Sequence, residues 1–267
     1  MAVKRAALKR DIKSLIFSYE NSMMLSHAIF ELSPQDNDHL FGDALIGTVS
    51  PWALDLLLGA YEAQKPDAAF EFYEAITDIP KAGSLRGRIL ERQVLRYFNN
   101  LKGPHTFIRR SLKDNSIINW VYPGHTKPHM VQPTTFAKEL QSAVSNKESL
   151  HLVLKDPNFP ALDSIVYDPK PEGGLSLNQI TANLHHPVAV VGLQRVQRWL
   201  KQNTLLAHLQ PSIQCRHWPF TFIVPETISD SFTKQLFEGD TITQEWANKV
   251  DQYVLGIEEE SLWARTR

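Results

Sequence analysis

Asp163, Gln179 and Thr181 carry oxygen-bearing side chains at a spacing that suits a hard divalent cation. They lie within residues 158–193, NFPALDSIVYDPKPEGGLSLNQITANLHHPVAVVGL. Residues 161–167 alternate apolar with polar or small side chains, 170–174 form a turn rich in Pro and Gly, and 175–181 alternate again. This pattern predicts two strands joined as a hairpin, with a helix following. Asp163 is expected inside the first strand, and Gln179 and Thr181, two apart in the second, project from one face. An acid opposite a Gln-x-Thr pair can hold a hydrated cation through oxygen ligands. The same residues also suit humbler work: a lone Asp at a strand start caps a turn, and Gln and Thr commonly form a strand's solvated face.

A third acid strengthens the metal reading. Residues 85–101, LRGRILERQVLRYFNNL, place Ile89, Leu90, Val94, Leu95, Phe98 and Leu101 at helical spacing. Glu91 falls three residues before Val94 and seven before Phe98, on or beside the apolar face. A carboxylate there needs a partner, either an Arg (Arg86, Arg88, Arg92) or a metal.

The elements that must position these groups follow from the same periodicities. Residues 105–112 and 117–122 read as a strand pair, 134–144 as a helix, 150–154 as a strand, 188–201 as a helix and 219–224 as a strong strand. Residues 225–234 fit a loop leading into a short helix, and 244–256 read as a terminal helix. Residues 1–80 are expected to be a helical region, because segments 26–37, 48–64 and 67–80 carry apolar residues at helical spacing with Ser, Pro and Asp near their starts. The expected class is α/β, a central mixed sheet flanked by helices over residues 81–267, preceded by the small helical region.

The order helix with inward Glu91, strand with Asp163, turn, strand with Gln179-Ile180-Thr181, then helix resembles the restriction-endonuclease-like PD-(D/E)XK fold. More narrowly, AGSLRGRILERQVLRYF, NFPALDSIVYDP, LSLNQIT, HHPVAVVGLQRV and DQYVLGI resemble the C-terminal region of Crinkler-type effectors and retrotransposon hot spot proteins in their fungal form, over residues 50–257. The resemblance implies a Mg²⁺- or Mn²⁺-dependent nuclease acting on DNA. Glu91, Asp163 and the carbonyl oxygens of Gln179 and Ile180 are its implied metal ligands. It also implies that residues 1–80 match the tail of an ATPase module. No G-x-x-x-x-G-K-[ST] is present, which leaves three expectations open: a truncated gene model, a paralogue that lost its motor, or the partner of a separate P-loop ATPase chain.

The chain departs from the nuclease pattern where Glu-x-Lys is usual, since Gln179 and Thr181 stand there. Gln lowers the site's charge by one unit, and Thr lacks the cation that Lys brings to the developing phosphorane. A basic residue on the next helix, Arg195, Arg198 or Lys201, or a proton-transfer group at His185 or His186, can substitute. The two histidines precede Pro187 and point opposite ways along an extended segment, so at most one faces the site. Arg195 and Arg198 are the candidate nucleic-acid contacts. The competing reading is a catalytically silent nuclease fold that binds nucleic acid or a protein partner.

Composition bounds these readings. Of 267 residues, 43% are apolar and 10% aromatic, enough for a packed globule. Lys and Arg total 28 against 29 Asp and Glu, so no global basic footprint for nucleic acid exists, only local clusters at residues 4–13, 86–96, 109–113 and 195–201. One cysteine, Cys215, excludes an intrachain disulfide and a cysteine-based zinc site. His125 and His129 are ligands four apart, but Pro128 opposes the helix that would join them. The basic, amphipathic start shows no secretory signal and no apolar run reaches spanning length, so an intracellular protein of cytoplasm or nucleus, with no membrane partner, is expected.

Overall fold

The structure, a computed structural model, describes residues 30–34, 44–48, 53–54, 56–59, 68–77, 82–124, 129–155, 159–170, 173–214, 216–239 and 243–263. His125, Cys215 and the basic cluster at residues 4–13 lie outside them. The chain divides into two units, Met1–Leu90 and Glu91–Arg267.

In the first unit, β1 (Phe30–Pro34) pairs antiparallel with β2 (Ala44–Thr48). This corrects the helical reading of residues 26–37. Phe30 and Leu32 also fit a period of two, and Pro34 cannot continue a helix interior, so the pairing decides an ambiguity that the spacing left open. Helix α1 (Ala68–Thr77) does form, burying Phe72, Tyr73 and Ile76. Arg86 donates its Nε to the Tyr73 hydroxyl at 3.3 Å and stacks over that ring. Helix α2 (Gly83–Asn100) then crosses from the first unit into the second, with Ile89, Val94 and Phe98 buried at helical spacing.

The second unit is mixed α/β, built on a large curled sheet flanked by helices. Its strands are β3 (His105–Ser111), β4 (Ile117–Tyr122), β5 (His129–Val131), β6 (Leu150–Leu154), β7 (Ser164–Asp168), β8 (Gly174–Ile180), β10 (Trp218–Pro225) and β12 (Val250–Ile257). Their order is β4-β3-β12-β10-β8-β7-β6-β5. The run β6-β7-β8 is an antiparallel meander, after which β9 (Val188–Ala189), paired parallel with β11 (Phe237–Glu238), and helix α3 (Val190–Lys201) carry the chain over to β10, parallel to β8.

Register assigns each side chain to a face. Leu152, Ile165, Leu177, Phe220, Phe222 and Val254 share one face and one hydrophobic core with Val190, Leu193, Val196 and Leu200 of α3. Phe136 and Leu140, from the helix spanning Phe136–Asn146, join the same core. The other face carries His151, Ser164, Ser176, Asn178, Thr221 and Tyr253. Beside it, Phe98 of α2 meets the rings of Phe107, Trp120, Tyr122 and His151 at 4.7–6.3 Å between centroids.

The predicted terminal helix over 244–256 is corrected. Only Thr243–Ala247 is helical, and Val250–Ile257 is an interior strand. Val250, Gln252 and Val254 are buried with exposure alternating between them, and all eight residues of β12 pair with β10. No helix among the described residues is long and apolar enough to cross a membrane.

Candidate functional site

The β7–β8 hairpin sets the register that brings Asp163 and Gln179 together. Ser164 pairs with Asn178, so the preceding and following residues are opposed as well. Asp163 itself sits at a bend immediately before β7, not inside the strand as its alternation suggested. The cause is Ala161, whose φ of 73° is left-handed and turns the chain just ahead of it. Asp163 nevertheless keeps its backbone tied to both neighbours: its N–H donates to Asn178 O at 3.0 Å and its carbonyl accepts from Leu154 N–H at 3.4 Å.

The Asp163 side chain reaches across to β8. Its Oδ2 accepts from the Ile180 backbone N–H at 2.6 Å and from Gln179 Nε2 at 3.1 Å. The residue as a whole is half-buried, with the carboxyl in its desolvated part. Burial, and then the charge of Glu91, raise that carboxyl well above the usual Asp range, partly opposed by the Ile180 N–H bond. Glu91 therefore does come from α2 toward Asp163, and it too is half-buried.

Gln179 is buried, and with its nitrogen bonded to Asp163 its Oε1 is left buried and without a hydrogen-bond partner among the described residues. Ile180 aims its N–H at Asp163, and in an extended residue the carbonyl points to the same side as the N–H. The oxygens gathered here are thus two carboxylates, one orphaned amide oxygen and one backbone carbonyl. That set fits a partly hydrated Mg²⁺ or Mn²⁺, which needs only one or two carboxylates from protein. A cluster of three or more His, Cys, Asp or Glu residues able to hold a metal is absent among the described residues, so any ion here relies on the neutral oxygens and water.

The other candidates lie around this centre in different ways. Thr181 is buried, and its hydroxyl accepts from the Asn183 N–H at 3.1 Å, closing the turn after β8. His185 is exposed. His186 is half-buried, and its backbone N–H donates to Gln235 Oε1 at 2.7 Å. Burial lowers the His186 pKa while the Glu238 charge raises it, the first prevailing, so its imidazole is neutral at pH 7. Arg195, Arg198 and Lys201 are all exposed on the side of α3 away from Val196 and Leu200, with Arg195 over the Phe159 ring. Among the described residues, no Lys or Arg bonds to Asp163 or Gln179.

Two other basic residues from the sequence clusters have structural work. Arg110 is bound to the carbonyls of Ser229 at 2.6 Å and Phe232 at 3.0 Å, so it clamps a loop. Arg109 is 8% exposed and faces the second side of the sheet.

Two supporting residues have no counterpart in the spacing analysis. Gln235 holds the turn at His186 and also donates Nε2 to Leu184 O at 3.0 Å, and no local period links it to that turn. Gly192 lets α3 lie directly on the Pro160 carbonyl: a Cβ there would come within 1.8 Å of that oxygen. A glycine inside an otherwise helical pattern is the signal that could have marked it. Compared with known proteins, the chain matches no family model, no curated protein and no solved structure.

Proposed function

We propose that the sheet unit is a restriction-endonuclease-like domain, of the kind in Crinkler-type effectors and retrotransposon hot spot proteins, that hydrolyses phosphodiester bonds in DNA. The observation that carries this reading is the Asp163 carboxyl, held by Ile180 N–H and Gln179 Nε2, raised by burial and by Glu91, and flanked by the unpaired Gln179 Oε1. A desolvated carboxyl beside a second acid, with an orphaned oxygen next to it, is a place where a cation is stabilising. Bound Mg²⁺ or Mn²⁺ would supply Lewis-acid polarisation of a phosphate oxygen and lower the pKa of water. Glu91 and Asp163 are its carboxylate ligands, with Gln179 and Ile180 adding neutral oxygens. The neutral His186 is the candidate proton acceptor. Lys201, Arg195 and Arg198, being exposed, suit the phosphates of a bound strand.

A second reading is a silent nuclease fold that binds nucleic acid or a partner such as a separate ATPase chain. It is favoured by one specific observation: Thr181, standing where the nuclease pattern has Lys, spends its hydroxyl on the Asn183 amide.

Calorimetric titration with Mg²⁺ and Mn²⁺, run with a plasmid-nicking assay on wild type and Asp163→Ala, separates the two. Hydrolysis requires metal binding and nicking in the wild type, both reduced about 100-fold or more in the variant while its melt stays cooperative. Normal nicking by Asp163→Ala sinks the proposal. A well-folded wild type that binds DNA without metal and never cuts it establishes the second reading.

A further inference from the structure

On the sheet face opposite the hydrophobic core, at the other end of β7 and β8 from Asp163, lies a cavity of about 690 Å³. Its size is that of a small-molecule site. It is lined by Arg109 of β3, Trp120 of β4, Ser176 of β8, Lys170 and Arg216. Against these three cationic side chains Asp168 is the one lining carboxylate among the described residues. Lys170 is exposed, and Arg216 is tied to the Gly173 carbonyl.

Arg109 is the unusual group. It is more than nine-tenths buried, yet among the described residues no carboxylate lies within ion-pair distance of it. One terminal nitrogen donates to Thr221 Oγ1 at 3.2 Å, and the guanidinium lies 4.0 Å from the Tyr253 ring centroid and 5.9 Å from that of Trp120. Among the described residues its Nε has no partner, and neither has the buried Ser176 Oγ. Burial outweighs the favourable charges of Tyr253 and Asp251, neither of them in an ion pair with Arg109, so a guanidinium held directly by ring faces and one hydroxyl still lacks much of the compensation such a charge needs. Two orphaned donors in the lining of one cavity make the same point from hydrogen bonding. The missing group is therefore an anion. A carboxylate has two oxygens, fewer than these donors can serve, whereas a phosphate monoester has three. Trp120, which lines the cavity, adds a flat surface for a ring.

We infer that this cavity binds a small phosphate monoester carrying an aromatic ring, of mononucleotide size, through Arg109, Lys170 and Ser176. The site is independent of the carboxylates at Asp163 and needs no metal.

The probe is AMP, titrated calorimetrically in EDTA so that a metal-bridged complex cannot form, with adenosine and inorganic phosphate in parallel and tryptophan fluorescence as a second readout. Wild type should bind AMP, with adenosine about tenfold weaker or worse, and phosphate should displace AMP. Lys170→Glu, an exposed change that leaves the fold intact, should weaken AMP about tenfold, and Arg109→Met should abolish binding. Should Arg109→Met fail to melt cooperatively, Lys170→Glu decides by itself. An absence of AMP binding in the wild type, equal affinity for adenosine, or wild-type affinity in Lys170→Glu would each overturn the inference.

Discussion

Gln179 turns its amide nitrogen to Asp163 and leaves its carbonyl oxygen unpaired, so this one side chain sets both the charge and the hydrogen bonding of the candidate centre. Replacing it by Glu adds a carboxylate beside two others and removes the Nε2 donor. In the metal-free protein Gln179→Glu is therefore expected to lower the melting temperature, by repulsion from Asp163 and Glu91. With Mg²⁺ the order reverses: the added charge should tighten binding about tenfold or more, and the thermal shift on adding Mg²⁺ should exceed that of the wild type. Equal shifts in both proteins would show that no cation sits there. The Asp163–Gln179 pairing was readable in advance because hairpin register follows from alternation and a turn of known length. The role of Thr181 was not, because its hydroxyl is committed to the backbone of Asn183, a contact no side-chain pattern encodes.

The elements around the site meet at two unusual backbone positions. Gly192 removes the side chain that would collide with Pro160, and Ala161 adopts a left-handed φ just ahead of Asp163. Gly192→Ala should push α3 off the turn and destabilise the protein by about 2 kcal/mol or more, because the obstacle is backbone. Ala161→Gly relieves a conformation that costs a residue with Cβ about 1 kcal/mol, and should leave stability equal or improved. Urea melts of the two variants check both signs, and a Gly192→Ala protein as stable as the wild type would refute the close approach. Most strands and the helix Val190–Lys201 could be read from period, since each has one apolar face or a continuous buried run. Strand β12 could not. Its sequence VDQYVLGI follows the helical turn Thr243–Ala247 and places Val250, Tyr253, Val254 and Ile257 at helical as well as strand spacing. What makes it a strand is the open lane between β10 and β3, a long-range cause that a window of residues does not contain.

At the scale of the molecule, the sheet has one face covered by the main hydrophobic core and one that encloses polar groups such as His151, and the second makes stability depend on pH. His151 is fully buried there among Phe98 and Tyr122, with Nδ1 hydrogen-bonded to the Tyr122 hydroxyl at 2.9 Å and Nε2 unpaired. Burial lowers its pKa from 6.5 to about 3. Between those values the unfolded chain takes up a proton that the folded chain refuses, so the neutral imidazole's stabilisation is complete above pH 6.5. It is lost as pH falls toward 3, by about 1.4 kcal/mol per pH unit. The raised carboxyl of Asp163 acts with the opposite sign, favouring the folded state at low pH and losing that contribution as pH rises through its folded value. A pH profile of the wild type alone therefore mixes the two, and the comparison that isolates His151 is with His151→Gln, which retains an acceptor for Tyr122. Between pH 6.5 and 5 the wild type should lose about 2 kcal/mol more in urea melts than the variant. Parallel profiles would mean that His151 takes its proton in the folded protein, which the unpaired Nε2 and the surrounding rings oppose.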